Sequence, residues 1–226
     1  MKKILIVILA ALVLIPATLE AKKAKKDYSM YLTGAVPEKD GRVVFSKTFK
    51  IPGKSEADLK KEMMVFVKDS LVGRGIQDPW NRMLTDETCD TLICARVEEW
   101  MVFVRKFLYL DQTRFRYQIN VRVNNNSINM EICQISYLYG EEWVENKPTG
   151  NGGEIYRAED WITDKNALNK KGTKMLPQSG KFRRKTVDRC SQIFNMAMDM
   201  FETKAAAEEA AKASKPEVKK RKFVEE

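Results

Sequence analysis

The chain has 226 residues, of which 44% are hydrophobic and 31% charged, and 40 lysines and arginines against 31 acidic residues give a net charge of +9. This length suffices for one sizeable domain with appendages. The chain has no histidine, so the commonest general base and metal ligand are missing and Ser-His and Cys-His nucleophile pairs are excluded.

Residues 1–21 have the pattern of a secretory signal peptide. Lys2 and Lys3 precede an apolar run over residues 4–15, and Ala21 supplies a small residue at a cleavage point. The run is shorter than the ~20 residues of a membrane-spanning helix, and no cysteine follows it to carry a lipid. We therefore expect an exported protein of the periplasm or cell envelope that is not lipid-anchored.

The next elements are a basic leader, a strand and a helix. Residues 22–30 are rich in lysine, and we expect them to be disordered. Apolar residues on one face predict a strand over residues 42–51. Ser55 is predicted to cap a helix with one apolar stripe, and Gly73 is predicted to end it.

A long β region follows. Four strands are expected, over residues 91–97, 101–110, 114–123 and 128–137. Asp111 to Thr113 predict a break, whereas strict alternation over 114–123 predicts a half-buried strand. Asn124 to Ser127 predict a hairpin turn, and an apolar phase shift after Ile132 predicts a bulge.

The last third of the chain is predicted to be less regular. Residues 141–157 are expected to be a loop, because Gly150 to Gly153 are flexible. Residues 158–203 are expected to be a basic segment and an amphipathic helix from Thr186 that packs on the domain formed by residues 31–140. Residues 204–226 are predicted to be a charged low-complexity tail.

Two stretches carry a family resemblance. Residues 31–53 read YLTGAVPEKDGRVVFSKTFKIPG, and their GAVP, DG and VVF segments with the PGKS turn resemble the opening of an exported bacterial family of unknown function with a TBP-like fold. Residues 158–188 are similar to the carboxy-terminal part of longer members. The resemblance implies an α+β fold, with a curved antiparallel sheet packed on helices and a helical carboxy-terminal extension. It implies no activity, because function resides in sites rather than in folds.

The four cysteines, Cys89, Cys94, Cys133 and Cys190, leave their pairing open. In an oxidising compartment they allow two bridges in three connectivities. We favour buried free thiols, with Cys94 and Cys133 on strands and Cys190 on the apolar face of a helix. A zinc site is not expected, since no histidine assists, and the sequence predicts no cofactor.

Basic residues supply the first candidate site. Residues 165–189 carry a net charge of +8, while residues 27–164 carry −4, so the globular part is acidic and we expect no nucleic-acid binding. The basic candidates for an anionic partner are Lys170, Lys171, Lys174, Lys181, Arg183, Arg184 and Lys185. The alternative is a solvated basic wrap around the sheet.

Aromatic residues supply the second candidate site: Trp80, Trp143, Tyr156 and Trp161. Exposed rings of this kind stack on sugars or hold a partner's side chain, and the alternative is that they cap the core. Glu98-Glu99 and Glu141-Glu142 suggest a glycosidase, but neighbouring carboxylates on a strand point apart.

These patterns favour a non-catalytic binding or scaffolding protein whose partner is an envelope protein or glycan. One alternative is a carboxylate-based enzyme that acts on envelope glycans. Another is a peripheral membrane protein held to anionic lipid by its basic segments.

Overall fold

The computed structural model describes residues 27–86, 92–144 and 147–213. The predicted signal peptide, residues 22–26 of the leader, Cys89 and residues 214–226 of the predicted tail lie outside the described residues.

The described chain forms eight strands and four helices. The strands are β1 (Glu38–Lys39), β2 (Arg42–Val43), β3 (Phe45–Lys50), β4 (Arg82–Met83), β5 (Ile93–Lys106), β6 (Tyr109–Asn124), β7 (Ser127–Val144) and β8 (Lys147–Arg157). The helices are α1 (Glu56–Val65, continued by a wider π-helical turn over Phe66–Val72), α2 (Ala158–Trp161), α3 (Asp164–Ala167) and α4 (Ser179–Ala213).

Six of the strands form one antiparallel sheet. Its order is β3-β7-β6-β5-β4, and β8 also pairs with β7. Phe45 of β3 pairs with Ile132, while Arg157 of β8 pairs with Ser136, so β3 and β8 share one edge of β7. The predicted bulge separates them: the β6–β7 register shifts here, and Gln134 has a φ of 50°. The bulge lets two strands use one edge of β7.

One face of the sheet forms the core against α1 and α4. The predicted alternation in β6 is confirmed: its alternate apolar residues are buried, as listed here: Phe115, Tyr117, Ile119, Val121 and Val123. The predicted apolar side of α4 is buried as well: Val187, Cys190, Ile193, Phe194, Ala197 and Phe201. The helix therefore packs on the sheet, and Phe194 lies 6.4 Å from Phe49.

Local signals fixed the ends of several elements. The Ser55 side chain accepts a hydrogen bond from the Asp58 N–H at 3.2 Å and caps α1, and Gly73 follows its π-helical turn, as predicted. Asn126 adopts a φ of 58° in the predicted β6–β7 turn. Its amide oxygen also accepts a hydrogen bond from the Gly53 N–H.

The predicted break at Asp111–Thr113 is wrong. These residues lie inside β6, and the turn comes earlier, at Phe107-Leu108. Two of the polar side chains find tertiary partners: Asp111 pairs with Lys181 at 2.7 Å, and the Thr113 hydroxyl donates to the Leu138 carbonyl at 2.8 Å. Because partners satisfy them, the strand continues through them.

The predicted loop over residues 141–157 is also wrong, since β7 runs to Val144 and β8 occupies Lys147–Arg157. Gly153 reflects close strand packing instead. Gly153 has a φ of 78°, and a Cβ there would lie 3.0 Å from the Tyr139 carbonyl oxygen. A larger residue does not fit this close approach.

The carboxy-terminal boundaries differ as well. Helix α4 begins at Ser179, before the expected Thr186, and continues to Ala213. A helix over the first part of the charged tail agrees with the high helix propensity of residues 204–212. At the other end, Ser29–Tyr31 form a 3-10 turn that begins in the last two residues of the predicted disordered leader. Within the described residues, no helix is both long enough and apolar enough to cross a membrane.

Candidate functional site

An aromatic cluster forms where β5, β7 and β8 meet the first turn of α4. Phe182 of α4, which is 1% exposed, lies at its centre. The rings that surround it are Phe103 at 4.5 Å, Tyr137 at 5.0 Å, Tyr139 at 5.5 Å, Trp161 at 5.9 Å and Tyr156 at 6.4 Å. Most of these pairs meet edge to face, the arrangement that aromatic quadrupoles prefer.

A cleft of about 410 Å³ opens on this cluster. Its lining consists of Tyr139, Tyr156, Trp161, Pro177, Gln178, Lys181 and Phe182. Small-molecule sites have this character, with mostly apolar and aromatic walls and a few polar groups that fix orientation. We call this space the aromatic cleft.

Tyr156 and Trp161 form a stacked pair beside the cleft. Their ring centroids lie 4.4 Å apart at an interplanar angle of 25°. The Tyr156 hydroxyl donates to the Glu154 carboxylate, which raises the Tyr156 pKa. The indole Nε1 of Trp161 is buried and has no hydrogen-bond partner among the described residues. An unsatisfied buried donor costs free energy until an acceptor reaches it.

Lys181 supplies the positive charge of the aromatic cleft. Its ammonium donates to Asp111 at 2.7 Å and to the Tyr139 hydroxyl at 3.0 Å, and it lies 4.6 Å from the Phe103 ring centroid. Burial lowers the Lys181 pKa, but the Asp111 and Tyr139 contacts outweigh burial, so the pKa is raised overall. Lys181 is therefore a fixed cation at neutral pH.

The other predicted basic residues do not join Lys181 in one patch. Lys170 and Lys171 line a separate 470 Å³ depression beside Thr33, and Lys174 is exposed in the same loop. Lys185 lines a third depression, between β5 and α4. The structure therefore divides the predicted basic residues among three separate depressions.

Arg183 and Arg184 require the clearest correction. Arg183 is fully buried and donates to the carbonyl oxygens of Tyr31, Leu32 and Ile162. It acts inside the fold and is not accessible to a partner. Arg184 lies over the Tyr28 ring, 5.6 Å from its centroid.

The predicted aromatic residues also separate. Tyr156 and Trp161 share the aromatic cleft, whereas Trp80 covers the opposite face of the sheet, 5.6 Å from both the Arg96 and Arg116 guanidinium carbons. Trp143 lies in β7, but its side chain falls outside the described part of the structure.

Three of the carboxylates considered for a glycosidase site form ion pairs with arginines. Glu98 pairs with Arg116 at 2.7 Å on one face of β5, while Glu99 binds Arg189 on the other face. Neighbouring carboxylates on this strand therefore point apart, as expected. Glu141 pairs with Arg114 at 2.7 Å. Glu98, Glu99 and Glu141 each have an arginine partner, which is not the geometry of a glycosidase pair. The Glu142 side chain lies outside the described part of the structure.

The thiols lie where the sequence predicted. Cys94 and Cys133 are on strands, with Asn120 within hydrogen-bonding reach of both sulfurs, and Cys190 is buried on α4. Within the described residues, Cys133 and Cys190 form no disulfide. Burial raises the pKa of both the Cys133 and the Cys190 thiol, the direction opposite to nucleophile activation.

Sequence reasoning missed the centre of the site. Phe182 lies inside the basic segment, four residues before the predicted start of the helix at Thr186. Phe182 is therefore not part of the predicted apolar face of that helix. Tyr139 was placed at the end of the domain, next to the wrongly predicted loop. A helix start at Ser179 would have revealed Phe182, since Phe182, Thr186 and Cys190 follow at i, i+4 and i+8.

Over the described residues, no cluster of acidic or cysteine side chains is arranged to hold a metal ion.

Comparison with known proteins identifies relatives of this chain. A family model described as a domain of unknown function (DUF4468) with TBP-like fold matches residues 45–138. The crystal structure of a DUF4468 family protein from Bacteroides ovatus is 39% identical, with a TM-score of 0.66, over 78% of this chain and 95% of that chain. A TBP-like protein from Parabacteroides distasonis is 17% identical, with a TM-score of 0.56, over 74% and 97% of the two chains. The second shares the fold alone, and no curated protein matches the sequence.

Proposed function

Because the chain belongs to the DUF4468 family of domains of unknown function with a TBP-like fold, whose name assigns no chemistry, we propose a function from its own surface. The protein is an exported, non-catalytic binding protein of the periplasm or cell envelope. Its aromatic cleft holds a saccharide of an envelope glycan. The observation that carries this proposal is the stacked Tyr156–Trp161 pair, which lines the aromatic cleft beside Lys181.

The lining of the aromatic cleft matches the two faces of a sugar ring. The C–H faces of a pyranose pack on aromatic rings, and its hydroxyls need polar partners at the ring edge. The exposed Gln178 amide at the edge of the cleft offers both a donor and an acceptor. A volume of about 410 Å³ suits one or two sugar rings.

Lys181 favours a saccharide that carries a carboxylate. An ammonium has three N–H donors, and Asp111 and Tyr139 accept two of them. The third donor and the raised pKa suit an acidic sugar, such as a uronic acid or a lactyl-substituted amino sugar. Asp111 keeps Lys181 in place, so the cation is already oriented before a ligand arrives.

The chemistry available in the chain supports binding without turnover. The chain has no histidine, the Cys133 and Cys190 thiols have raised pKa values, and Glu98, Glu99 and Glu141 are paired with arginines. Export rests on the signal-peptide pattern of residues 1–21. A binding protein of this kind also serves as a scaffold when its glycan is part of the envelope.

Titration calorimetry with muropeptides and uronic-acid oligosaccharides tests the proposal. We expect Tyr156→Ala to weaken binding about tenfold, because it removes half of the stacked pair. Trp161→Phe replaces the indole by a smaller phenyl ring and reduces the stacking surface, so we expect about fivefold weaker binding.

Trp80→Phe, on the opposite face of the sheet, is the matched control and should bind as the wild type does. Equal affinity of the Tyr156→Ala, Trp161→Phe and wild-type proteins, each folded by circular dichroism, would refute the aromatic cleft as the site. Conversion of any of these saccharides to a product would refute the non-catalytic assignment.

A further inference from the structure

The tip of the β5–β6 hairpin exposes large apolar side chains. Phe107 is 97% exposed and Leu108 is 90% exposed, and both lie in the two-residue turn. Tyr109 and Leu110 follow at 56% and 46%. Four consecutive residues therefore present apolar surface to solvent. Such a run is unusual at a turn and marks an interaction surface.

The folding of the hairpin does not require these side chains. Turn positions favour glycine, asparagine and aspartate, because these residues accept turn backbone conformations or bond to them locally. The β6–β7 turn at the other end of β6 follows this rule, with Asn125 and Asn126 at its centre. Phe107 and Leu108 also make no core contact at 97% and 90% exposure. Their apolar character is therefore unexplained by local or core packing.

The tip is also basic. Arg105 and Lys106 directly precede the turn and are exposed. Residues 104–110 contain no acidic side chain, and the first acid beyond them, Asp111, is neutralised by Lys181 at 2.7 Å. The tip thus combines two positive charges with four apolar or aromatic side chains.

We propose that this hairpin tip docks the protein on a lipid membrane surface that carries anionic headgroups. Phe107 and Leu108 enter the boundary between headgroups and acyl chains, Tyr109 lies at the level of the headgroups, and Arg105 and Lys106 pair with lipid phosphates. A fluid bilayer needs no surface of complementary shape, so a narrow tip of two side chains can insert into it. A protein partner is less suitable, because a stable protein interface requires about 800 Å² on each partner.

The hairpin tip lies near the aromatic cleft, although the docking proposal does not depend on ligand binding in that cleft. Phe103, four residues before the turn, packs on Phe182 at 4.5 Å and forms part of the aromatic cluster. The tip and the aromatic cleft therefore lie at the same end of the sheet. A protein docked by this tip holds the aromatic cleft near the membrane surface.

Vesicle flotation tests the docking. The probes are vesicles of phosphatidylcholine alone and of phosphatidylcholine mixed with phosphatidylglycerol, at low and high salt. All proteins are compared in the same amino-terminal form, as cells accumulate them, so that any effect of residues 1–26 is common to every sample. We expect the wild type to bind the anionic vesicles and to weaken at high salt.

The apolar contribution is tested by the double variant Phe107→Ser with Leu108→Ser, which should bind anionic vesicles at least about tenfold more weakly. The matched control is Val65→Ser with Leu176→Ser, which removes two apolar side chains that are 51% and 39% exposed elsewhere. It should bind as the wild type does. Both variants should keep the wild-type melting temperature.

The charge contribution is tested by Arg105→Gln with Lys106→Gln, which should weaken binding about fivefold per charge and reduce the salt dependence. Lys170→Gln with Lys171→Gln removes the same charge from the exposed loop before α4 and should have a smaller effect. Wild-type vesicle binding by the Phe107/Leu108 variant overturns the proposal. The proposal is also overturned if the Lys170/Lys171 variant loses more vesicle binding than the Arg105/Lys106 variant. The same holds if the tip variant changes its oligomeric state without a change in lipid binding.

Discussion

The guanidinium of Arg183 donates a 2.6 Å hydrogen bond to the carboxylate of Asp164, and Asp164 also accepts the backbone N–H of Gly34 at 2.8 Å. Arg183 adds three bonds to carbonyl oxygens, which belong to Tyr31, Leu32 and Ile162. One side chain therefore joins α4, the amino-terminal segment and the α2–α3 turn.

We expect Arg183→Met to lower the free energy of unfolding by about 3–5 kcal/mol, because it leaves three carbonyl oxygens and a carboxylate without their donor. Urea unfolding measures the change. Arg184→Met is the control and should change stability by less than ~0.5 kcal/mol, since Arg184 is part-exposed and its contacts with Tyr28 are long, 3.5 Å to the hydroxyl and 5.6 Å to the ring centroid. Similar losses for the two variants would contradict a structural role for Arg183.

Glu98 tests the ion pairs on the opposite face of the sheet. It is 0% exposed, pairs with Arg116 at 2.7 Å and lies 3.6 Å from Arg114. Glu98→Gln should cost about 3 kcal/mol of unfolding free energy, because two part-buried guanidinium groups lose their shared counter-charge. Glu131→Gln breaks the exposed pair with Arg122 and should cost less than ~1 kcal/mol. Equal costs would show that burial does not strengthen the Glu98 network.

Substitution of Gln134 tests for backbone strain at the bulge in β7. Its φ of 50° places a side-chain-bearing residue in the left-handed region, which costs roughly 1–2 kcal/mol for a residue other than glycine. Gln134→Gly should therefore raise the free energy of unfolding by about 0.5–1 kcal/mol, after the larger loss of backbone entropy by glycine. Ser136→Gly, in the neighbouring extended strand, should lower it by a similar amount. Destabilisation by both substitutions would refute strain at Gln134.

The buried Cys190 thiol and Tyr137 hydroxyl predict a loss of stability at alkaline pH. Burial raises the pKa of the Cys190 thiol above its ordinary 9.0 and that of the Tyr137 hydroxyl above its ordinary 10.0. The unfolded chain loses these protons as pH rises, while the folded protein keeps them. Their contribution is thus complete below about pH 9 and then declines by up to about 1.4 kcal/mol per pH unit for each group.

Urea titrations between about pH 8 and pH 11 measure this slope. Cys190→Ala should flatten it above pH 9, and Tyr137→Phe should flatten it above pH 10. Tyr137→Phe also loses its 2.7 Å hydrogen bond with Thr186, so its stability at pH 8 falls while its slope becomes smaller. An unchanged slope in both variants would contradict protonated burial of these groups.

Features that depend on neighbouring residues could be predicted from the amino-acid sequence. Alternation from Arg114 to Val123 gave a half-buried strand, Ser55 gave a helix cap, and Asn126 gave a turn. A strand period, a cap and a turn each involve residues only a few positions apart, so their chemistry can be read along the chain. The predicted α+β, TBP-like fold is confirmed by the family and structural relatives.

Features that depend on contacts between remote residues could not be predicted from the sequence. Asp111 and Thr113 signalled a break until Lys181 and Leu138 supplied their partners, and Arg183 resembled a surface charge until three distant carbonyls enclosed it. The aromatic cleft unites Tyr156 and Trp161 with Tyr139 and Phe182, which lie up to 43 positions apart in sequence. A polar or apolar side chain takes its role from the groups that it meets, and for these residues those groups are remote in the chain.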